Sequence, residues 1–109
     1  MKPDSLKIGL TTFETKEEAV AFSKFMIEKG LAVCAQVDDP ILSIYKWKGA
    51  VEESKEVRLW IKFFDDKSKL IENELMNFHS YEIPQWCVLD VAQVGAPYLK
   101  WAMDSVEHE

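Results

Sequence analysis

The chain has 109 residues, a length that supports one domain with one modest core. Apolar residues make up 48% and charged residues 29%, a balance that excludes a disordered chain. Nineteen acidic against thirteen basic residues give a net charge of −6, which argues against general nucleic-acid binding, since that needs a basic field.

The segment 7–13 is short, apolar and bounded by polar residues, the pattern of a strand. Thr15-Lys16-Glu17-Glu18 has the form of a capping box, with a hydroxyl for the orphan N–H groups and a Glu three residues on. Ala19, Phe22 and Met26 then fall on one face, and Gly30 follows as a stop, so a helix is expected over 16–29. A second strand is expected over 31–37. Asp38-Asp39-Pro40 interrupts it, and because Pro cannot donate to a ladder, a bulge or bend is expected there. The strand resumes over 41–47, with Ser43, Tyr45 and Trp47 on one face, and Lys48-Gly49 supplies a turn. In the returning strand Val57, Leu59, Ile61 and Phe63 point one way, while Glu56, Arg58, Trp60 and Lys62 form a mixed second face.

Asp65-Asp66 are positioned to cap a helix over 67–78, and 79–84 reads as a loop ended by Pro84. A last strand is expected over 87–94. A third helix is expected to open at Gly95-Ala96-Pro97 and run to Val106. The order β-α-β-β-α-β-α predicts an α+β, ferredoxin-like sandwich forming a single domain over 1–109, with a long hairpin joining its second and third strands and an extra C-terminal helix. Helices cover one sheet face. The hairpin reaches past what so small a core can cover, so its aromatics call for another copy of the chain. No apolar run approaches the ~18 residues of a membrane span, and no secretory leader pattern opens the chain. A cytoplasmic protein with Cys34 and Cys87 reduced is expected, partnered by neither membrane nor nucleic acid.

In residues 30–37, in Pro40-Ile41, Ser43, Tyr45, Trp47-Lys48-Gly49, Glu52 and Glu56, and in the segments 59–62, 79–84 and 98–101, the chain resembles the CutA family of divalent-cation tolerance proteins. The resemblance implies a ferredoxin-like subunit in a homotrimer similar to PII signalling proteins, cytosolic occurrence, and association with copper or another divalent cation. It also implies an intersubunit cleft to which Gln36 and Tyr81 belong. Ser80 and Gln85 stand where the family usually has Pro and Glu, and Thr11 stands where some members have Cys.

His79 with Glu82 is the candidate metal pair, since imidazole and carboxylate suit copper or zinc; the further donors would come across an interface. Binding through His79 would weaken on acidification, because the imidazole must be neutral. His108 lies in the tail and is not expected to be a ligand. Tyr45, Trp47, Lys48 and Trp101 form a second set. Rings beside a cation suit a small ligand, while intersubunit packing is the plainer use of such rings. Lys62 joins this cleft set; it and Glu56 share a strand face but lie too far apart for acid–base work. No nucleophile–base pair or phosphate loop is visible, so no enzyme is expected. The expected function is homotrimeric divalent-metal (copper) binding in metal-ion tolerance or response. The alternative is a PII-like module that takes a small ligand or an unidentified partner protein at clefts between subunits.

Overall fold

In a computed structural model that describes residues 5–106, the elements run β1 (Leu6–Phe13), α1 (Lys16–Glu28), β2 (Cys34–Val37), β3 (Ile41–Trp47), β4 (Ala50–Phe64), α2 (Ser68–Phe78), β5 (Cys87–Asp90) and α3 (Ala96–Val106). They form a mixed α+β fold with one antiparallel sheet and three helices. The strands lie in the order β2-β4-β1-β5, and β3 pairs with the N-terminal half of β4.

Helix α1 starts as its sequence dictates. Thr15 Oγ1 accepts from the Glu18 amide at 3.1 Å, and the Glu18 carboxylate accepts from the Thr15 amide at 3.2 Å. Gly30 ends it with φ 73°, a left-handed conformation that glycine adopts without Cβ strain. The buried face of α1, Ala19, Phe22 and Met26, meets Val57, Leu59, Ile61 and Phe63 of β4 together with Ile71 and Leu75 of α2. Every second residue of β4 from 57 to 63 is thus in this core, as the alternation requires. The opposite sheet face is covered only at one end, where α3 brings Ala102 against Leu6, Val33 and Phe64.

Strand β4 is 15 residues long and carries both β2 and β3 on one edge. Val37 pairs with Leu59 and Ile41 with Glu56, so three residues, 38–40, stand opposite two, 57 and 58. This is the bulge expected at Asp38-Asp39-Pro40. One extra residue switches which side chains face which way. In β2 the even residues Cys34 and Gln36 oppose Lys62 and Trp60; in β3 the odd residues Ser43, Tyr45 and Trp47 oppose Ser54, Glu52 and Ala50. Both sets therefore share the open face of the sheet. Lys48 (φ 52°) and Gly49 (φ 86°) close the hairpin as a two-residue turn with both central residues left-handed.

Three expected boundaries move. The strand expected over 31–37 begins only at Cys34, because the amides of Leu31 and Ala32 bond back to the Met26 carbonyl and belong to the helix end. Asp65 and Asp66 lie in a 3-10 turn, Asp65–Lys67, and give no side-chain cap to α2; the Asp65 amide donates to the Ser5 carbonyl. The strand expected over 87–94 stops at Asp90, whose partner is Lys7, one residue from the start of β1. His108 lies outside the described residues.

Two predictions follow from this packing. A Cβ on Gly9 would overlap the Trp86 ring, which is itself stacked on Phe63. Gly9→Ala should therefore destabilise the fold by about 1–3 kcal/mol, read by chemical denaturation; unchanged stability would show that Trp86 shifts freely. Asp38 accepts from Arg58 and Trp60, and these hydrogen bonds hold its carboxyl below the ordinary range. Such a group contributes stability that is present above its unfolded value, about 3.9, and is lost as pH falls through its lower folded value. Asp38→Asn should accordingly lose less stability on acidification below about pH 4 than the parent does.

Candidate functional site

The open sheet face and the loop after α2 enclose a hollow of about 930 Å³ at the base of the hairpin. One wall is sheet: Thr12 of β1, Ser43, Tyr45 and Trp47 of β3, and Ser54 and Glu56 of β4. The other is the loop, with Tyr81, Glu82, Ile83 and Gln85. Glu14, Glu56 and Glu82 give the lining three carboxylates against one ammonium, that of Lys55. Such a lining favours a cation or a hydrogen-bond donor over an anion.

Glu56 is buried and accepts from Thr12 Oγ1 at 3.2 Å. Burial and a hydrogen bond to Glu56 push the Tyr81 hydroxyl well above the usual phenol range, and Glu14 and Glu18 add to the effect. Tyr81 is thus a standing donor on the hollow wall. Tyr45 Oη and Ser54 Oγ share a hydrogen bond of 2.6 Å that fixes the Tyr45 ring across the hairpin.

His79 sits behind this loop. Its Nε2 donates to the Thr12 carbonyl at 2.6 Å, and its Nδ1 accepts from the Tyr81 amide at 3.1 Å. The ring stacks on Phe13 with centroids 4.6 Å apart. Both nitrogens are engaged with backbone, so a metal ion on His79 would have to displace one of these bonds. His79 does not line the hollow, whereas Glu82 does, so one chain does not bring the expected metal pair together. Among the described residues no three His, Cys, Asp or Glu side chains converge to hold a metal ion.

The expected cleft residues divide between two places. Tyr45, Trp47 and Tyr81 line the hollow. Lys62 and Trp101 meet instead at the other end of the face, through Tyr98: Lys62 Nζ lies 5.1 Å from the Tyr98 ring centroid, and the Trp101 ring is 5.5 Å from it. Lys62 and Ser54 are eight residues apart on β4, roughly 26 Å at about 3.3 Å per residue. Gln36 is exposed opposite Trp60, and Lys48 stands at the hairpin tip with its ammonium 5.8 Å from the Trp47 ring. Sequence reading did not place Glu14 in the site, nor Glu56 as the buried partner of Tyr81. The position of Glu14 directly after a predicted strand end was the available signal for the first.

The model of the family described as CutA1 divalent ion tolerance protein matches residues 7–105. The chain belongs to the CutA1 family. It is 35% identical over 102 residues to the Protein CutA homolog of Xenopus laevis, covering 94% of this chain and 68% of that one. To the human Protein CutA it is 31% identical over 105 residues, 96% of this chain but only 59% of the human protein's length. With the divalent-cation tolerance protein CutA of Thermotoga maritima the figures are 33%, 88% and 94%. Among solved structures, CutA of Synechococcus elongatus superposes with a TM-score of 0.90 at 28% identity, covering 98% of this chain and 95% of that one. A CutA of Archaeoglobus fulgidus, described as periplasmic, superposes with 0.89 at 28% identity, covering 94% and 99%. Membership in CutA1 accounts for the whole arrangement from β1 through most of α3 and leaves the chemistry of the hollow to this chain's own side chains.

The Tyr81 environment gives a spectroscopic test. In the folded protein this phenol should stay protonated at a pH where free tyrosine, near 10, is ionised. Alkaline titration followed by phenolate absorbance should show this late fraction, and Tyr81→Phe should remove it. Because the folded state retains that proton, stability should fall as pH rises above about 10.

Proposed function

We propose that this CutA1 chain is a ferredoxin-like subunit of a cytosolic homotrimer that binds divalent metal ions, copper foremost, in metal-ion tolerance. It acts by binding and carries out no catalytic step. The observation that carries the reading is the acidic hollow, three carboxylates against one ammonium, in a chain whose family is described by divalent-ion tolerance. Among the described residues no three donors converge, so on this reading the cation is shared where copies meet, and Glu14, Glu56 and Glu82 are what each copy offers there. Carboxylate oxygens accept most divalent ions, so selectivity for copper would need nitrogen or sulfur donors from the assembly.

Assembly is supported by the hairpin. Leu42, Ile44, Tyr45, Trp47 and Val51 are all exposed in the single chain, Val51 at 72%. The chain measures 45 × 26 × 25 Å, so one axis runs well beyond the other two. A closed ring would let each hairpin cover its neighbour in the same way. The cytosolic assignment is supported by two free cysteines, Cys34 in β2 and Cys87 in β5, which suit a reducing compartment.

Light scattering at micromolar concentration should give three chains per particle, and Trp47→Ala should weaken assembly by about 2 kcal/mol or more. Calorimetry with copper and with zinc should show binding to the trimer that falls in Glu82→Gln. A trimer that binds neither metal but is stabilised by a nucleotide would replace the cation reading with the PII-like one. A monomer would remove the basis of both.

A further inference from the structure

We infer that His79 is a latch for the wall of the hollow, closed only while its imidazole is neutral with the proton on Nε2. The geometry leaves no other form. Nε2 faces the Thr12 carbonyl, which can only accept, so Nε2 carries the proton. Nδ1 faces the Tyr81 amide, which can only donate, so Nδ1 must keep its lone pair. The ring is stacked on Phe13 of β1 and contacts Tyr81 at a centroid distance of 4.6 Å; a half-turn would keep the stack but set ring carbons against both the carbonyl and the amide.

These bonds form a chain from sheet to loop. Thr12 of β1 holds Glu56 through its hydroxyl and His79 through its carbonyl, and His79 holds the Tyr81 amide. His79 is therefore a positioning residue: it sets Tyr81, and with it the wall formed by Glu82, Ile83 and Gln85, without lining the hollow itself.

A second proton on the ring can go only to Nδ1. It would set one N–H against another, and the Tyr81 amide would lose its acceptor while the bond to Thr12 survived. The loop is then released at Tyr81 and the ring stays on β1. The charged and titratable groups around the latch are Tyr81 on the loop, Glu56 on β4, Glu14 after β1 and Glu18 on α1, with Lys55 and Glu82 across the hollow. Imidazole is the side chain suited to such a change between about pH 5 and 8.

The experiment uses the assembled protein without metal, so its outcome is independent of the cation reading. The charge on His79 is followed by its ring carbon resonances from about pH 7.5 to about pH 5. Over the same range the exchange protection of the Tyr81 amide is measured relative to an unstructured chain at each pH. Protection should fall about tenfold or more in step with ring protonation, while that of Ile61 in β4 stays constant. Nitrogen shifts at high pH should report a protonated Nε2 and a bare Nδ1. In His79→Phe, which keeps an aromatic ring on Phe13 but removes both nitrogens, Tyr81 protection should be low and independent of pH. Protection of Tyr81 that persists through the ring's titration, or that is retained in His79→Phe, would overturn the latch. Should that variant fail to fold, the parent's titration decides alone.

Discussion

One carboxylate holds the place where two short strands meet one long one. Asp38 Oδ2 accepts from Arg58 Nε at 2.7 Å and from Trp60 Nε1 at 2.9 Å, while the Asp38 amide donates to the Arg58 carbonyl at 2.9 Å. Residue 38 is thereby tied to β4 by both backbone and side chain. The three residues 38–40 then fit opposite two, and the facing of every later side chain in β3 is reversed. Had the strand run on without the bulge, Tyr45 and Trp47 would share the face of Val57 and Leu59 and point to the helix side. With it, they join Gln36, Trp60 and Lys62 on the open face, and the hollow acquires its aromatic wall.

This explains what could be read from the sequence and what could not. Helix α1 was legible because its signals are local: a capping box, an apolar stripe and a glycine stop. The core face of β4 was legible because alternation is a local property too. The interruption at Asp38-Asp39-Pro40 announced a bulge, but its consequence for facing depends on a one-residue register offset that only pairing with β4 defines. The ends of β2 and β5 were missed for the same reason. β2 starts later than residue 31 because the Leu31 and Ala32 amides belong to the α1 terminus, and β5 ends beside the start of β1. Neither limit is written in its own residues.

The site was legible as a list and not as a place. Tyr45, Trp47, Tyr81 and Glu82 were named from sequence and do come together, but Lys62 and Trp101 belong to a separate cluster around Tyr98. Sequence gives residue types; it does not give the roughly 26 Å of strand that separates the two groups. His79 shows a deeper limit. Imidazole followed by a carboxylate three residues on reads as a metal pair, yet its use depends on what each ring nitrogen faces. Here they face a carbonyl of β1 and an amide two residues on, contacts made by a chain return of 67 residues and by a local loop.

The hairpin and the hollow make opposite demands on the same surface. Its apolar residues fall on both faces: Leu42, Ile44 and Val51 share the side of the helix core, while Tyr45 and Trp47 share the open side. Neither α1 nor α2 covers them, and they stay exposed among the described residues. A cover laid flat over the open side would fill the hollow and leave its carboxylates facing a buried surface, which is costly unless they are paired. The neighbouring copy proposed above would meet both demands, covering the apolar hairpin and bringing cation or donor groups to Glu14, Glu56 and Glu82. On this view the loop after α2 is the adjustable part, since it alone lies between the rigid sheet and whatever enters. Its setting passes through one imidazole that tolerates a single tautomer, so the shape of the hollow is governed from behind the wall rather than from within it.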